Sequence, residues 1–290
     1  MNNLIFFGTG SIALGILEQL SAHSIVPALV ITSPDAPVGR AQTITASPVG
    51  QWAEAHSTPT LKPAKIDEAF LDELSAATQR LSAEVFVVAD YGKILPQTLL
   101  DIPSKGVVNV HPALLPRLRG PSPIRSAILT DEKVTGASIM LIDALMDHGP
   151  LLAQKTVPIP TWPIRGRDLD TLLSREGGAL LADVLPRYLA GDITPTEQDH
   201  TLATKCRMIK KEDAQLDLAH GDPYENLLKI CAYDEWPTTY AFFNRGGKSI
   251  RTQIIAAHMD GASLVIDTVK PEGKGEMPYA DFIRSGATPA

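Results

Sequence analysis

Gly106-Val107-Val108-Asn109-Val110-His111-Pro112-Ala113-Leu114-Leu115-Pro116-Arg117-Leu118-Arg119-Gly120 is the stretch whose reading decides the fold. Its opening, residues 106–110, reads as a short apolar strand, which puts Asn109 and His111 at the carboxyl end. Open α/β sheets place their chemistry at that edge. The two residues are two positions apart and so project to the same side of an extended segment. One brings an amide donor and the other a titratable imidazole. A proline-punctuated basic loop follows, and after the next apolar strand comes a carboxylate, Asp147. An Asn, a His and an Asp converging on a strand edge suit acyl transfer to a nitrogen nucleophile.

Working outward, apolar runs alternate with helical patterns. Strands are expected at 4–7, 25–32, 84–89, 107–111 and 137–142, with helices at 11–22, 48–56 and 67–80. Such alternation argues for an α/β domain with a parallel-rich, Rossmann-like sheet wrapped by helices. Residues 151–159 read as an added strand and 167–189 as a closing helix, and 34–47 as a loop rich in Pro, Gly and Thr. The pattern then changes. Residues 191–204 are polar and turn-rich, a linker, and beyond them short strands at 239–243, 250–258 and 263–268 surround one helix at 223–232. The expected division is therefore a domain over 1–190, a linker over 191–204 and a small β domain over 205–290.

The chain of 290 residues has a net charge of −7, so any nucleic acid must be met by local basic patches rather than by global charge. No apolar run reaches the length of a membrane span, and Met1-Asn2-Asn3-Leu4 lacks the basic region of a signal peptide. Cys206 and Cys231 are the only cysteines, with no CxxC and no metal-ligand spacing. They read as two reduced thiols in a cytoplasmic protein, with no metal. Gly8-Thr9-Gly10-Ser11-Ile12-Ala13 between a strand and a helix fits a dinucleotide fingerprint. The proline-broken loop after Ser33-Pro34-Asp35 argues instead for glycines that serve a tight turn.

Taken together the pieces resemble the folate-dependent formyltransferase family. The matching stretches are Phe7-Gly8-Thr9, Ser33-Pro34-Asp35-Ala36-Pro37-Val38-Gly39-Arg40, Ala89-Asp90-Tyr91-Gly92-Lys93-Ile94-Leu95-Pro96 and Asn109-Val110-His111. They continue through Leu114-Leu115-Pro116-Arg117-Leu118-Arg119-Gly120, Thr135-Gly136 and Asp147-His148-Gly149. In the last third Lys210-Lys211-Glu212-Asp213, Leu216-Asp217, Trp236-Pro237 and Pro271-Glu272-Gly273-Lys274 also fit. The resemblance spans nearly the whole chain, including a C-terminal domain that many members lack. The chain departs from the family pattern at Ala113, usually Ser, at His148 and Pro150, usually Thr and Asp, at Cys231, and in a lysine-poor loop after Arg40.

The resemblance implies an OB-like C-terminal β domain, a scaffold used for nucleic-acid binding. It also implies 10-formyltetrahydrofolate as donor and the α-amino group of initiator methionyl-tRNA as acceptor, with no membrane association and a monomeric state. The alternative acceptor is an amino-sugar nucleotide. Catalysis would fall to Asn109 and His111, stabilising the oxyanion of a direct attack, and to Asp147, orienting His111 and taking the amine proton. Folate would lie along Ala113, Leu114, Leu115 and Pro116 and against Val88, Asp90, Tyr91 and Ile94. The tRNA would meet Arg40 and a basic cluster of Lys205, Arg207, Lys210 and Lys211.

Overall fold

The computed structural model describes residues 3–39 and 41–290, which divide into two compact units. The first comprises the described residues of 1–121, 134–158 and 170–206. Its strands are β1 (Leu4–Gly8), β2 (Leu29–Ile31), β3 (Ala36–Val38), β4 (Thr43–Thr45), β5 (Thr60–Leu61), β6 (Val85–Ala89), β7 (Val107–His111), β8 (Thr135–Leu141) and β9 (Leu151–Val157). Seven of these form one sheet in the order β5-β2-β1-β6-β7-β8-β9. The five from β5 to β7 run parallel, while β8 and β9 are antiparallel to their neighbours.

Both faces of this sheet are covered, which is why β1 and β6 are continuously apolar. Leu4, Phe6, Val85, Val87, Val108 and Val110 pack with helices α1 (Ser11–Ala22), α2 (Pro48–Ala55) and α6 (Gly166–Ala190, of which 170–190 belongs here). Ile5, Phe7, Phe86, Val88 and Val107 pack on the other side with α3 (Glu68–Leu81) and α4 (Gln97–Leu100). Local chemistry sets the helix starts. Ser47 accepts the Gly50 N–H at 3.0 Å ahead of Pro48, and Asp67 accepts that of Phe70 at 3.1 Å.

Two local expectations change. The strand expected from residue 25 pairs only over Leu29–Ile31, because Pro27 has no N–H to give the ladder. The stretch 34–47, read as a loop, contains the β3–β4 hairpin.

The second unit comprises 122–133, 159–169 and 207–290. It holds α5 (Pro123–Leu129), α7 (Pro223–Ala232), α8 (Tyr279–Arg284) and the antiparallel strands β10 (Tyr240–Arg245), β11 (Lys248–Asp260), β12 (Ser263–Pro271), β13 (Met277–Pro278) and β14 (Thr288–Pro289). The sheet order is β13-β12-β11-β10-β14 around a core of Phe243, Ile254, Val269 and Phe282. The β11–β12 register shifts between Ile254 and Ala257, as at a bulge. The antiparallel β sheet expected after residue 205 is present, but 122–133 and 159–169, expected in the first domain, belong to this unit, and the expected linker 191–204 belongs to the first. Asp131 draws residues 122–133 into it by accepting from Trp162 Nε1 at 2.6 Å and Tyr224 Oη at 2.9 Å. Among the described residues no helix is long and apolar enough to cross a membrane.

Candidate active site

The site lies in the first unit and is built on β7. Val108 and Val110 point into one apolar layer and Val107 into the other, so Asn109 and His111 share the Val107 face. Asn109 is half-buried, and no protein group hydrogen-bonds its side chain among the described residues. An amide in that state has all its donors left for a ligand.

Asp147 reaches the same place by a reversal. The Ile142 N–H is bonded to the Val107 carbonyl at 2.8 Å, at the start of β7. Five residues later Asp147 Oδ2 stands 3.7 Å from Nδ1 of His111, at the strand's end. The turn therefore doubles back along β7. Asp147 has φ 50°, in the left-handed region that Asp tolerates better than most non-glycine residues. Its Oδ2 accepts the Gly120 N–H at 2.7 Å, and Oδ1 has no hydrogen-bond partner among the described residues.

His111 is buried, and its Nε2 is 3.0 Å from the Leu118 carbonyl. A carbonyl oxygen only accepts, so Nε2 carries the hydrogen and Nδ1 of the neutral ring presents a lone pair to Asp147; contrary to expectation, His111 then has no N–H left to stabilise an oxyanion. Burial pushes the His111 pKa below the ordinary 6.5, against the pull of Asp147 and the Leu118 carbonyl; the Arg119 charge adds to the lowering. Nδ1 of the neutral ring and Asp147 Oδ2 thus face each other across 3.7 Å, beyond hydrogen-bond distance.

The residues expected to hold folate lie at the ends of β6 and β7. Ala113 and Leu115 are buried, Leu114 and Pro116 half-buried. The loop is tied by Ser138, whose hydroxyl donates to the Ala113 carbonyl at 2.6 Å and accepts the Leu115 N–H at 3.0 Å. Gln154 Nε2 donates to the Leu115 carbonyl at 2.7 Å. Val88 and Tyr91 are buried and Ile94 is 87% exposed. Among the described residues the Tyr91 hydroxyl is buried without a hydrogen-bond partner, and burial raises it to about 12. Asp90 folds its carboxyl against Gly10, so that a Cβ there would collide with it. The second glycine of the turn thus makes room for an aspartate. The first, Gly8, makes room for Phe6, Ala13 and the Ala89 carbonyl.

The basic residues divide between the units. Lys205, in the first, is exposed and bridges Arg119 through the backbone. In the second, Lys210 and Lys211 are exposed, while Arg207 is held by both oxygens of Asp213 at 2.6 and 2.7 Å. Arg40 lies outside the described residues. Among those described, no group of three His, Cys, Asp or Glu is placed to hold a metal.

Sequence reasoning missed Gln198, Ser138 and Gln154, which fix the loops that carry the site. Nothing local marks them, since each acts across 16 or more positions. It also gave no partner for His148, whose ring stacks on His200 at 4.0 Å.

Residues 1–175 match the formyl transferase family. The chain is 42% identical over 277 residues to the methionyl-tRNA formyltransferase of Chloroflexus aurantiacus, covering 94% of this chain and 86% of that protein. Among solved structures, the methionyl-tRNA formyltransferase from Clostridium thermocellum is similar with a TM-score of 0.59 at 17% identity, over 95% of this chain and 100% of that one. HypX from Aquifex aeolicus, in complex with tetrahydrofolic acid, is similar with a TM-score of 0.65 at 14% identity, over 97% of this chain. The chain spans 46% of the length of HypX. At these identities the two solved structures speak for the fold alone.

Proposed function

The chain belongs to the methionyl-tRNA formyltransferase family, and we propose that it moves the formyl group of 10-formyltetrahydrofolate to the α-amino group of initiator methionyl-tRNA through Asn109, His111 and Asp147. The observation that carries this reading is the Asn109 amide, unengaged among the described residues, beside a buried neutral imidazole and a carboxylate one of whose oxygens has no partner among them. The family binds tetrahydrofolate derivatives; the 10-formyl donor, the initiator acceptor and a cytoplasmic monomer are part of our reading. Folate would lie along 113–116 and 88–94, and the tRNA would meet Arg40, Lys205, Arg207, Lys210 and Lys211.

The neutral amine attacks the formyl carbon, and its oxygen becomes an oxyanion. Asn109 donates to that oxygen, a contribution of about 3–4 kcal/mol for a preorganised donor. The amine's proton passes to Asp147, which faces His111 Nδ1; such base catalysis is worth about 10²–10⁴-fold. The bond from the formyl carbon to N10 then breaks, the proton returns to N10, and formyl-methionyl-tRNA and tetrahydrofolate leave. No acyl-enzyme is required.

The test is incubation with 10-formyltetrahydrofolate and, separately, charged initiator methionyl-tRNA or a UDP-amino sugar, followed by mass spectrometry. Formyl-methionine on the tRNA is expected. A formylated sugar with untouched tRNA would overturn the acceptor and keep the site.

A further inference from the structure

The polar stretch 191–204 delivers one buried amide to the back of the active-site turn. Gln198 is 5% exposed, and its whole hydrogen-bonding capacity is used. Oε1 accepts from Arg119 Nε at 3.1 Å and Nη2 at 2.6 Å. Nε2 donates to the carbonyls of Asp147 at 3.0 Å and Gly149 at 2.7 Å. The amide therefore grips the main chain on both sides of His148, directly behind the carboxylate.

A second line of contacts closes around the same turn. Arg119 Nη2 donates to His200 Nδ1 at 2.8 Å, the His200 ring stacks on His148, and His148 Nδ1 donates to Asp143 Oδ2 at 2.7 Å. Asp143 opens the turn that Gln198 closes. Within this ring Asp147 keeps its left-handed backbone and its 3.7 Å approach to His111.

We propose that Gln198 is a positioning residue for formyl transfer, acting on the reacting groups only through Asp147. The two N–H bonds to the turn hold the carboxylate facing Nδ1 of His111, where it can take the amine proton. Loss of those bonds lets the turn relax without removing any group that touches substrate. This inference rests on the proposed role of Asp147 as acceptor of the amine proton.

The experiment is a double-mutant cycle in kcat and KM, using 10-formyltetrahydrofolate and charged methionyl-tRNA. Gln198→Glu keeps an acceptor for Arg119 and removes both donors to the turn. In the parent background it should lower kcat by about 10–100-fold with KM for either substrate changed less than about twofold. In the Asp147→Asn background it should cost nothing further, because the group it positions is already gone. Equal losses in both backgrounds would overturn the inference, since a merely structural defect adds to the Asp147 defect. So would a kcat within about twofold of the parent. If the Glu variant does not fold, the same cycle with Gln198→Ala decides on the same outcomes. An active Asp147→Asn protein would overturn the role of Asp147 and this inference with it. An impaired Asp147→Asn protein beside an unaffected Gln198→Glu protein would overturn this inference alone.

Discussion

Among the described residues nothing hydrogen-bonds the Asn109 side chain, so its removal should cost little stability and much rate. Asn109→Ala is expected to lower kcat by about 10²–10³-fold with KM nearly unchanged, the pattern of a donor that acts in the transition state. Steady-state kinetics check this, and near-parent turnover would sink the oxyanion role. Asp90 is a different kind of residue. Desolvation of its carboxyl pushes the pKa from 3.8 up to about 6, the Asp170 charge adds to the rise, and the Gly10 N–H works against both. Between those two pH values the folded state holds a proton that the unfolded chain has released. The stability tied to this group is therefore fully present in acid and lost as pH rises through 6. Asp90→Asn removes that loss, so its Tm should exceed the parent's at pH 8, with the gap closing as pH falls towards 4. A gap that does not change with pH would assign the effect to packing.

At the scale of elements, the loop 113–116 owes its shape to β8 rather than to its own residues. Ser138 is fully buried and makes three hydrogen bonds, two to the loop and one from Gln154 Nε2 at 2.9 Å. Ser138→Ala leaves the Leu115 N–H without its acceptor, at a cost of about 1–3 kcal/mol. Thermal melting should show that loss, and a titration should show weaker binding of 10-formyltetrahydrofolate. A lowered Tm with unaltered folate affinity would detach this loop from the binding site. The same elements mark where sequence reasoning reaches and where it stops. Helix α1 and strand β7 lie where periodicity puts them, because a buried parallel strand and an amphipathic helix are local patterns. The antiparallel sense of β8, the β3–β4 hairpin and the gripping role of Gln198 were not legible. Strand direction is decided by the partner, and Gln198 reads as one more polar residue in a turn-rich stretch until its contacts 49 to 79 positions away are seen. Asn109, His111 and Asp147 were legible as a set because the strand carries two of them and a glycine turn the third. The tautomer of His111 was not, since Leu118 fixes it through the fold.

For the molecule as a whole, a net charge of −7 leaves recruitment of a polyanion to individual cations. In the second unit Lys210 and Lys211 are exposed, but the Arg207 charge is offset by Asp213, whose pKa the Arg207 hydrogen bonds hold down at about 2. Asp213 therefore stays ionised at every pH at which tRNA would be bound, and it subtracts from the field that the neighbouring cations supply. Asp213→Asn keeps an oxygen for the Lys210 N–H, now bonded at 2.8 Å, while removing the negative charge. If phosphates approach this segment, the variant should bind methionyl-tRNA more tightly at low salt. Its slope of log K against log salt should steepen by about 0.7–0.9, the value for one additional phosphate neutralised. Formyl transfer at saturating tRNA should not change, because Asp213 touches none of the reacting groups. Filter binding across a salt series makes the comparison directly. A slope equal to the parent's would mean that Arg207 meets no phosphate even when released, and the acceptor would then have to be held by Arg40 and the lysines alone.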